Sequence, residues 1–305
     1  MRHIQKNKDL VSVVLITYNR PERLGRAIKT VIKQTYKNIE LLVVDGANSE
    51  ENRAVVEDFY WQTAIKIKYV KVEPEAVDMF SQYGMQHSRN VGCKLAKGKY
   101  IAMLDDDDSW TPDKIEKQVD IFKYGVCGIG CSDIALVTCY NKIISGDSEV
   151  IDKPKINPSF EDLLKSFNLS STSTFLMRRD VLEEIGFWNE KLRGMHEYDL
   201  ALKMARLGYQ IYTVPEPLMT RERLSNTNAS YYYIKIAEVI DLWHYFGKDF
   251  LPRIGIKGLI LNAIKTTFLF GIFLLGYIIR ERVWDIIYPL KIIYEQGGKN
   301  VQTVN

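Results

Sequence analysis

An apolar segment, Tyr100-Ile101-Ala102-Met103-Leu104, runs directly into four consecutive aspartates, Asp105 to Asp108, and then into Ser109-Trp110-Thr111-Pro112. Adjacent carboxylates repel one another, so something must offset them, and an oxygen-seeking divalent cation suits that task. An apolar strand that ends in carboxylates sets them at the carboxyl edge of a sheet, where open α/β sheets bind ligands. The plain alternative is a solvated acidic loop. A calcium loop is a second alternative. Oxygen-bearing residues recur at Asp107, Ser109, Thr111 and Asp113, with Glu116 in the twelfth place counted from Asp105. Trp110 then takes the sixth place, where an EF-hand needs glycine, Pro112 falls inside the loop, and a strand precedes it instead of a helix.

The flanking sequence supports the α/β reading. Val11 to Ile16 is a nearly continuous apolar strand, as in a sheet covered on both faces. Asn19 is placed to cap the next helix, with Pro21 in its first turn and Leu24, Ile28, Val31 and Ile32 on its apolar face. Ile39 to Val44 is a second strand, and Glu50 to Tyr60 is helical. Ile65, Ile67 and Tyr69 alternate with Lys66 and Lys68 in a half-exposed strand. A helix from about Ser88 to Lys97 stops at Gly98, and Thr111-Pro112-Asp113 opens another after the aspartates. Strand and helix in alternation imply a parallel sheet with right-handed crossovers.

From about residue 126 the pattern loosens. Ser173 to Arg178 reads as a strand, Arg179 to Ile185 as a short helix ended by Gly186, Tyr198 to Leu207 as an amphipathic helix closed by Gly208, and Gln210 to Val214 as a strand.

The chain has 305 residues, net charge +3 and a pI near 8.4, with no basic stripe interleaved with aromatics, so nucleic acid is not an expected partner. Met1 to Leu10 is polar and basic and has no apolar core of a signal peptide. Cys127 and Cys131 have the spacing of a metal pair, but no histidine or further close pair completes a zinc set. With Cys93 and Cys139 they read as buried free thiols in a reducing cytosol.

Several ordered motifs together resemble the family 2 glycosyltransferases of the GT-A fold, over roughly residues 10 to 225. They are Val11 to Pro21, Gln34-Thr35-Tyr36, Ile39 to Gly46, Ser88-Arg89-Asn90-Val91-Gly92, Gly98 to Ile101 with the aspartate run, and Gly186-Phe187-Trp188-Asn189-Glu190. The resemblance implies a GT-A catalytic domain over residues 1–225. It is an α/β, Rossmann-like mixed sheet with a nucleotide-sugar half at about 10–108 and an acceptor half at 109–225.

The same resemblance implies roles. Asp105 and Asp107 take the place of the pair that holds Mg²⁺ or Mn²⁺ on the diphosphate of a nucleotide-sugar. Thr17, Tyr18, Asn19, Asp45, Arg89, Asp105, Asp106 and Arg223 belong to the nucleotide-sugar site, and Asp108 stands behind it. Asp45 has the place of an acid that reads the base, although Gly46 stands where many members carry a second acid; a turn acid is the alternative. Arg89 faces the diphosphate or pairs on a helix surface. Met195-His196-Glu197-Tyr198-Asp199-Leu200 resembles the segment of the catalytic base, with Glu197 in the first acidic place and Asp199 as runner-up. Both acids also suit the first turn of a helix. Arg223 replaces a histidine of the family's closing segment.

The implied reaction is inverting transfer of a sugar to a hydroxyl of a glycan or lipid-linked acceptor. A sugar-nucleotide pyrophosphorylase would be expected to open with a glycine-rich phosphate loop, and Thr17-Tyr18-Asn19-Arg20-Pro21 has no glycine. A catalytically inactive membrane scaffold would draw its support from Gly46 and Glu197 alone.

Residues 226–305 change in composition. Thr266 to Ile279 holds fourteen residues without a charge, preceded by Lys265 and closed by Arg280-Glu281-Arg282. Such a stretch reaches about 21 Å as a helix, short of a hydrocarbon core of about 30 Å. The reading is a helical, apolar tail that lies on the cytoplasmic face of the cell membrane. A re-entrant helix belongs to the same reading; a spanning helix over Gly258 to Ile279, which would carry Asn262 and Lys265 inside, or a soluble one packed on the domain or joining a homo-oligomer, are the alternatives.

Overall fold

The computed structural model describes residues 9–72, 83–126, 130–165, 169–192 and 195–222. In β1 (Val11–Thr17) all seven residues are buried, because apolar side chains leave both faces of the strand and both faces are covered. Val14 and Ile16 join one core with Leu42, Val44, Ile101 and Met103, while Val11, Val13 and Leu15 join a second with Leu41, Val43, Ala102 and Leu104.

β1, β2 (Ile39–Asp45), β3 (Lys66–Lys71) and β4 (Tyr100–Asp105) are parallel, in the order β3-β2-β1-β4. The register sets Thr17 opposite Asp45 and Ile16 opposite Asp105. The residues singled out at the strand ends therefore share one edge of the sheet. α1 (Pro21–Ile32), α2 (Glu50–Phe59) and α4 (Lys114–Tyr124) pack on one face, while α3 (Tyr83–Leu95), α5 (Phe160–Lys165), α6 (Arg179–Glu184) and α7 (His196–Arg206) pack on the other.

The sheet continues as a mixed one. β8 (Leu176–Arg178) runs antiparallel to β4, β6 (Ile134–Ser145) antiparallel to β8, β9 (Gln210–Glu222) parallel to β6, and β5 (Asp108–Trp110) antiparallel to β9. β7 (Ser148–Asp152) forms a hairpin with β6. The chain thus folds back so that β5, which carries Asp108, closes against the last strand.

The structure departs from the sequence reading in several places. Asn19 does not cap α1: it takes a left-handed φ of 49°, and Arg20 is the capping residue, without a side-chain bond. Gly98 is not a helix stop. α3 ends at Leu95, and a Cβ on Gly98 would lie 2.6 Å from the Ser12 amide nitrogen and 2.7 Å from the Leu10 carbonyl oxygen. It is a close-approach glycine that lets the chain pass β1. Gly186 and Gly208 do end α6 and α7 with φ of 81° and 91°. Residues 173 and 174 belong to a 3₁₀ turn (Thr172–Thr174) before β8. β9 does not stop at the Pro215-Glu216-Pro217 segment; register shifts opposite Tyr140 carry it through. Cys131 is exposed, whereas Cys93 and Cys139 are buried free thiols. Cys127, Arg223 and the tail over 226–305 lie outside the described residues.

Candidate active site

The aspartate run alternates in exposure. The side chains of Asp105 and Asp107 are 17% and 33% exposed, while Asp106 and Asp108 are buried. Asp106 and Asp107 form the turn between β4 and β5, and Arg20 Nη1 reaches the carboxylates of both. The two inward carboxylates are structural partners. Asp106 accepts from the Thr17 hydroxyl at 2.8 Å and from Arg20 at 3.1 Å. Asp108 pairs with Arg221 across the β5–β9 ladder, with Nε at 3.4 Å from Oδ1.

The two outward carboxylates meet arginines that line the edge. Arg89, almost fully buried on α3, donates to both oxygens of Asp105 at 3.0 and 3.3 Å. Its guanidinium also takes the Gln86 amide oxygen at 3.1 Å and lies 5.3 Å from the Trp188 ring centre. Arg20 and Arg23 reach Asp107 at 3.7 and 3.6 Å.

These surroundings set the charges. Burial pushes Asp108 up to about 7, with Asp105 and Asp107 adding to the shift against the pull of Arg221. Burial also raises Asp106, against its bonds from Thr17 and Arg20. Arg221 is half-covered as well, but the carboxylates of Asp108, Asp105, Asp107 and Glu197 together outweigh that cost and hold it charged.

Glu197, on the opposite half, lies in the field of Arg89 and Arg221. It is the second residue of α7, and its Oε1 accepts a hydrogen bond from the Thr172 hydroxyl. Burial opposes its charge. The field of Arg89, the Thr172 bond and the neighbouring His196 outweigh this and hold it below the usual carboxylate range. Asp199 sits differently. It is 1% exposed and pairs with Lys203 of its own helix at 2.8 Å, and burial raises it.

The remaining strand-end residues form the loops around the edge. Asp45 is fully buried. Its oxygens accept from the Ala47 amide at 2.9 Å, the Ser49 amide at 3.0 Å and the Tyr69 hydroxyl at 2.7 Å. This is a turn acid that fixes the start of α2, where Ser49 caps Asn52. Tyr18 is 43% exposed, and a Cβ on Gly46 would come within 3.3 Å of its ring. Glycine in place of a second acid therefore lets the Tyr18 ring close on the β2 loop. Asn90 clamps the loop after α6, exchanging bonds with the Trp188 amide and carbonyl and donating to Glu190 at 2.6 Å.

Two groups of site residues escaped sequence reasoning. Arg221 meets Asp108, as Arg20, Arg23 and Arg89 meet the other aspartates, while Arg223 lies outside the described residues; the two-residue alternation of β9 and its pairing with β5 are the signal that would have found Arg221. In the Ser170-Ser171-Thr172-Ser173-Thr174 run the strand reading took in only Ser173 and Thr174, and nothing in the sequence marks Thr172.

A divalent ion fits this donor set in one way. Among the described residues no three acids, histidines or cysteines converge on a point. Asp105 and Asp107 alone offer the one or two carboxylates with which a hard ion is held when substrate phosphates and water complete its shell.

Comparison with known proteins places the geometry. A family profile described as Glycosyl transferase family 2 matches residues 12–186. An uncharacterized glycosyltransferase of Rickettsia prowazekii is 29% identical over 260 residues, covering 82% of this chain and 76% of that protein. A UDP-Glc:alpha-D-GlcNAc-diphosphoundecaprenol beta-1,3-glucosyltransferase of Escherichia coli is 28% identical over 181 residues, covering 59% of this chain and 64% of that protein. Among solved structures, a mannosyltransferase of Pyrobaculum calidifontis in complex with GDP-Man and Mn²⁺ matches with a TM-score of 0.59 at 16% identity, covering 87% of this chain and 73% of that one. TarS of S. aureus matches with a TM-score of 0.55 at 14% identity; the match covers 77% of this chain but only 40% of TarS. These structural likenesses show a shared GT-A fold.

Proposed function

The chain belongs to glycosyltransferase family 2, and from that premise we propose a metal-assisted, inverting transfer of a sugar from a nucleotide-diphosphate sugar to a hydroxyl of a glycan or lipid-linked acceptor. The observation that carries it is the arginine-lined acidic edge after β4, where Arg89 holds Asp105 and Arg20 and Arg23 reach Asp107, with Glu197 of the other half held by Thr172 in the field of the same Arg89. The E. coli relative named above acts on a diphosphoundecaprenol-linked acceptor by its title, which supports the acceptor class.

In this reading the nucleotide lies over the loops after β1 and β2, with the exposed Tyr18 ring as a platform and Thr17 and Asn19 beside it. Asp45 serves by fixing the β2 loop. Asp105 and Asp107 would hold Mg²⁺ or Mn²⁺, which when bound takes up negative charge on the leaving diphosphate. Arg20, Arg23 and Arg89 add donors for the phosphates. Arg221 balances the buried Asp108 behind them.

Glu197 accepts the proton of the acceptor hydroxyl. That oxygen bonds to the anomeric carbon from the face opposite the diphosphate, the bond from the anomeric carbon to the phosphate oxygen breaks, and the diphosphate leaves with the electron pair. A single displacement of this kind inverts the centre and needs no covalent enzyme intermediate. Glu197 is held ionised and therefore ready to accept the proton.

A thermal-shift comparison of the full-length protein with UDP and with GDP, each with and without Mn²⁺, tests the donor side. A ligand of the native state raises the midpoint. The expected result is a rise with one nucleotide that is larger with Mn²⁺. No rise with either nucleotide under any condition overturns the reading.

A further inference from the structure

The polar run Ser170 to Thr174 holds a bond to each group of acids, from Ser173 to the aspartate run and from Thr172 to Glu197. The 3₁₀ turn is fixed on the aspartate side at four points. Ser173 Oγ accepts the Asp105 amide at 2.9 Å, and the Ser173 carbonyl accepts the Trp110 indole N–H at 2.7 Å. The Thr174 carbonyl accepts the Gln118 amide at 2.8 Å, and the Thr174 and Thr138 hydroxyls lie 2.6 Å apart. The turn is thereby tied to β4, β5, α4 and β6. Thr172, 1% exposed, points the other way and gives its hydroxyl to Glu197.

Glu197 needs such a partner. A glutamate carries three side-chain torsions, and its helix begins after Met195, which has a left-handed φ of 55° and supplies no side-chain cap. Threonine is β-branched and stiff at its first torsion, so a buried threonine hydroxyl fixes the acid that it touches. Arg89, His196 and Arg221 supply charge around the carboxylate, but a field without a directed bond does not define where the oxygen points.

We infer that Thr172 is a positioning residue: it sets the Glu197 carboxylate at a fixed place relative to the aspartate run, through the turn that both acids share. The inference rests on the reading of Glu197 as the group that accepts the acceptor proton. It assigns the Thr172 side chain a part in turnover and none in donor binding. A misplacement of the acid costs rate because the reacting groups must be held in a narrow geometry.

The test uses the full-length protein with UDP-glucose, UDP-GlcNAc and GDP-mannose, each with Mn²⁺ and an undecaprenyl-diphosphate sugar or water as acceptor, read by release of UDP or GDP. Thr172→Val keeps the shape and removes the hydroxyl. It is expected to lower kcat by roughly tenfold or more while the donor KM stays within about twofold. Thr172→Ser should recover most of the rate. Thr172→Val added to Glu197→Gln should lower the rate no further. Wild-type kcat in Thr172→Val with a dead Glu197→Gln overturns this inference and leaves the base reading standing. A fully active Glu197→Gln overturns the base reading and this inference with it. Equal losses in Thr172→Ser and Thr172→Val, or a raised donor KM with unchanged kcat, mark a structural role and also overturn it. The contact itself is checked without any substrate by melting midpoints of Thr172→Val, Glu197→Ala and the double variant. The proposal expects a double-variant loss clearly smaller than the sum of the single ones, and strict additivity overturns it.

Discussion

Asp107 is the most exposed of the four aspartates and the one held only by long arginine contacts of 3.6 and 3.7 Å. Removing its carboxylate therefore disturbs no core. Asp107→Ala is expected to leave the melting midpoint near that of the parent, abolish the Mn²⁺-dependent part of nucleotide binding and lower turnover by roughly a hundredfold or more. Full activity in excess EDTA would show that no divalent ion takes part. The two acids of α7 separate in the same manner. Glu197→Gln keeps size and hydrogen bonding but cannot take a proton, so turnover should fall by roughly 10²-fold with donor affinity unchanged. Asp199→Asn should act on stability, because Asp199 is buried against Lys203. If Asp199→Asn is dead and Glu197→Gln near wild-type, the base is two residues further along. Both acids were legible in the sequence only through family resemblance. What the sequence lacked was their surroundings: Thr172 is 25 residues from Glu197 and Arg221 is 113 residues from Asp108, and no local pattern joins residues that far apart.

At the scale of elements, the parallel half was readable because its signal is local. Continuous apolar strands, a buried helix face and strand-end acids all follow from short-range periodicity, and β1, β2 and β4 stand where that periodicity placed them. The acceptor half was not readable in the same way. β6 and β9 are long strands bent by irregular pairing, and a proline segment inside β9 imitates a strand end. Gly98 shows the same limit. Its sequence context suits a helix stop, but its reason is contact with β1, so Gly98→Ala should cost about 1–3 kcal/mol and several degrees of melting temperature. An unchanged midpoint would show that the chain can yield at this crossing.

Lys114, at the first turn of α4, gives a test of the buried frame beneath the site. It is fully buried, donates to Gln118 at 2.7 Å and lies 4.2 Å from the Trp110 ring centre. Burial pushes it from 10.5 down to about 8. Above about pH 8 the native state has released this proton while the unfolded chain holds it until about 10.5. The unfolded state then binds more protons, so the contribution of Lys114 to stability rises with pH across that window and is flat below it. Lys114→Met should remove this rise. Urea unfolding of both proteins at several pH values in the window measures it, and equal slopes would contradict the burial account.

For the whole molecule the open relation is between the GT-A domain and the chain that follows it. The sheet closes with β9, whose last described residue, Glu222, pairs with Ile144 near the tip of the β6–β7 hairpin. Among the described residues no helix is long and apolar enough to cross a membrane. The apolar stretch Thr266 to Ile279 lies beyond them, bounded by Lys265 and by Arg280 and Arg282. As a helix, fourteen residues would reach about 21 Å, enough to bury one face at an interface, with arginines suited to anionic headgroups. Every described element that builds the candidate site ends before this stretch begins. The full-length protein is therefore expected to sediment with vesicles containing phosphatidylglycerol, and raised salt should weaken that binding without abolishing it, because apolar burial remains. Deleting residues 256–305 should leave the protein in the supernatant with its nucleotide-dependent thermal shift intact. Should the full-length protein stay soluble without detergent at low and at high salt, and ignore the vesicles, the tail has a different task. Its apolar residues would then have to be covered by protein, and a larger mass in solution for the full-length chain than for the deletion would locate the cover in a second copy.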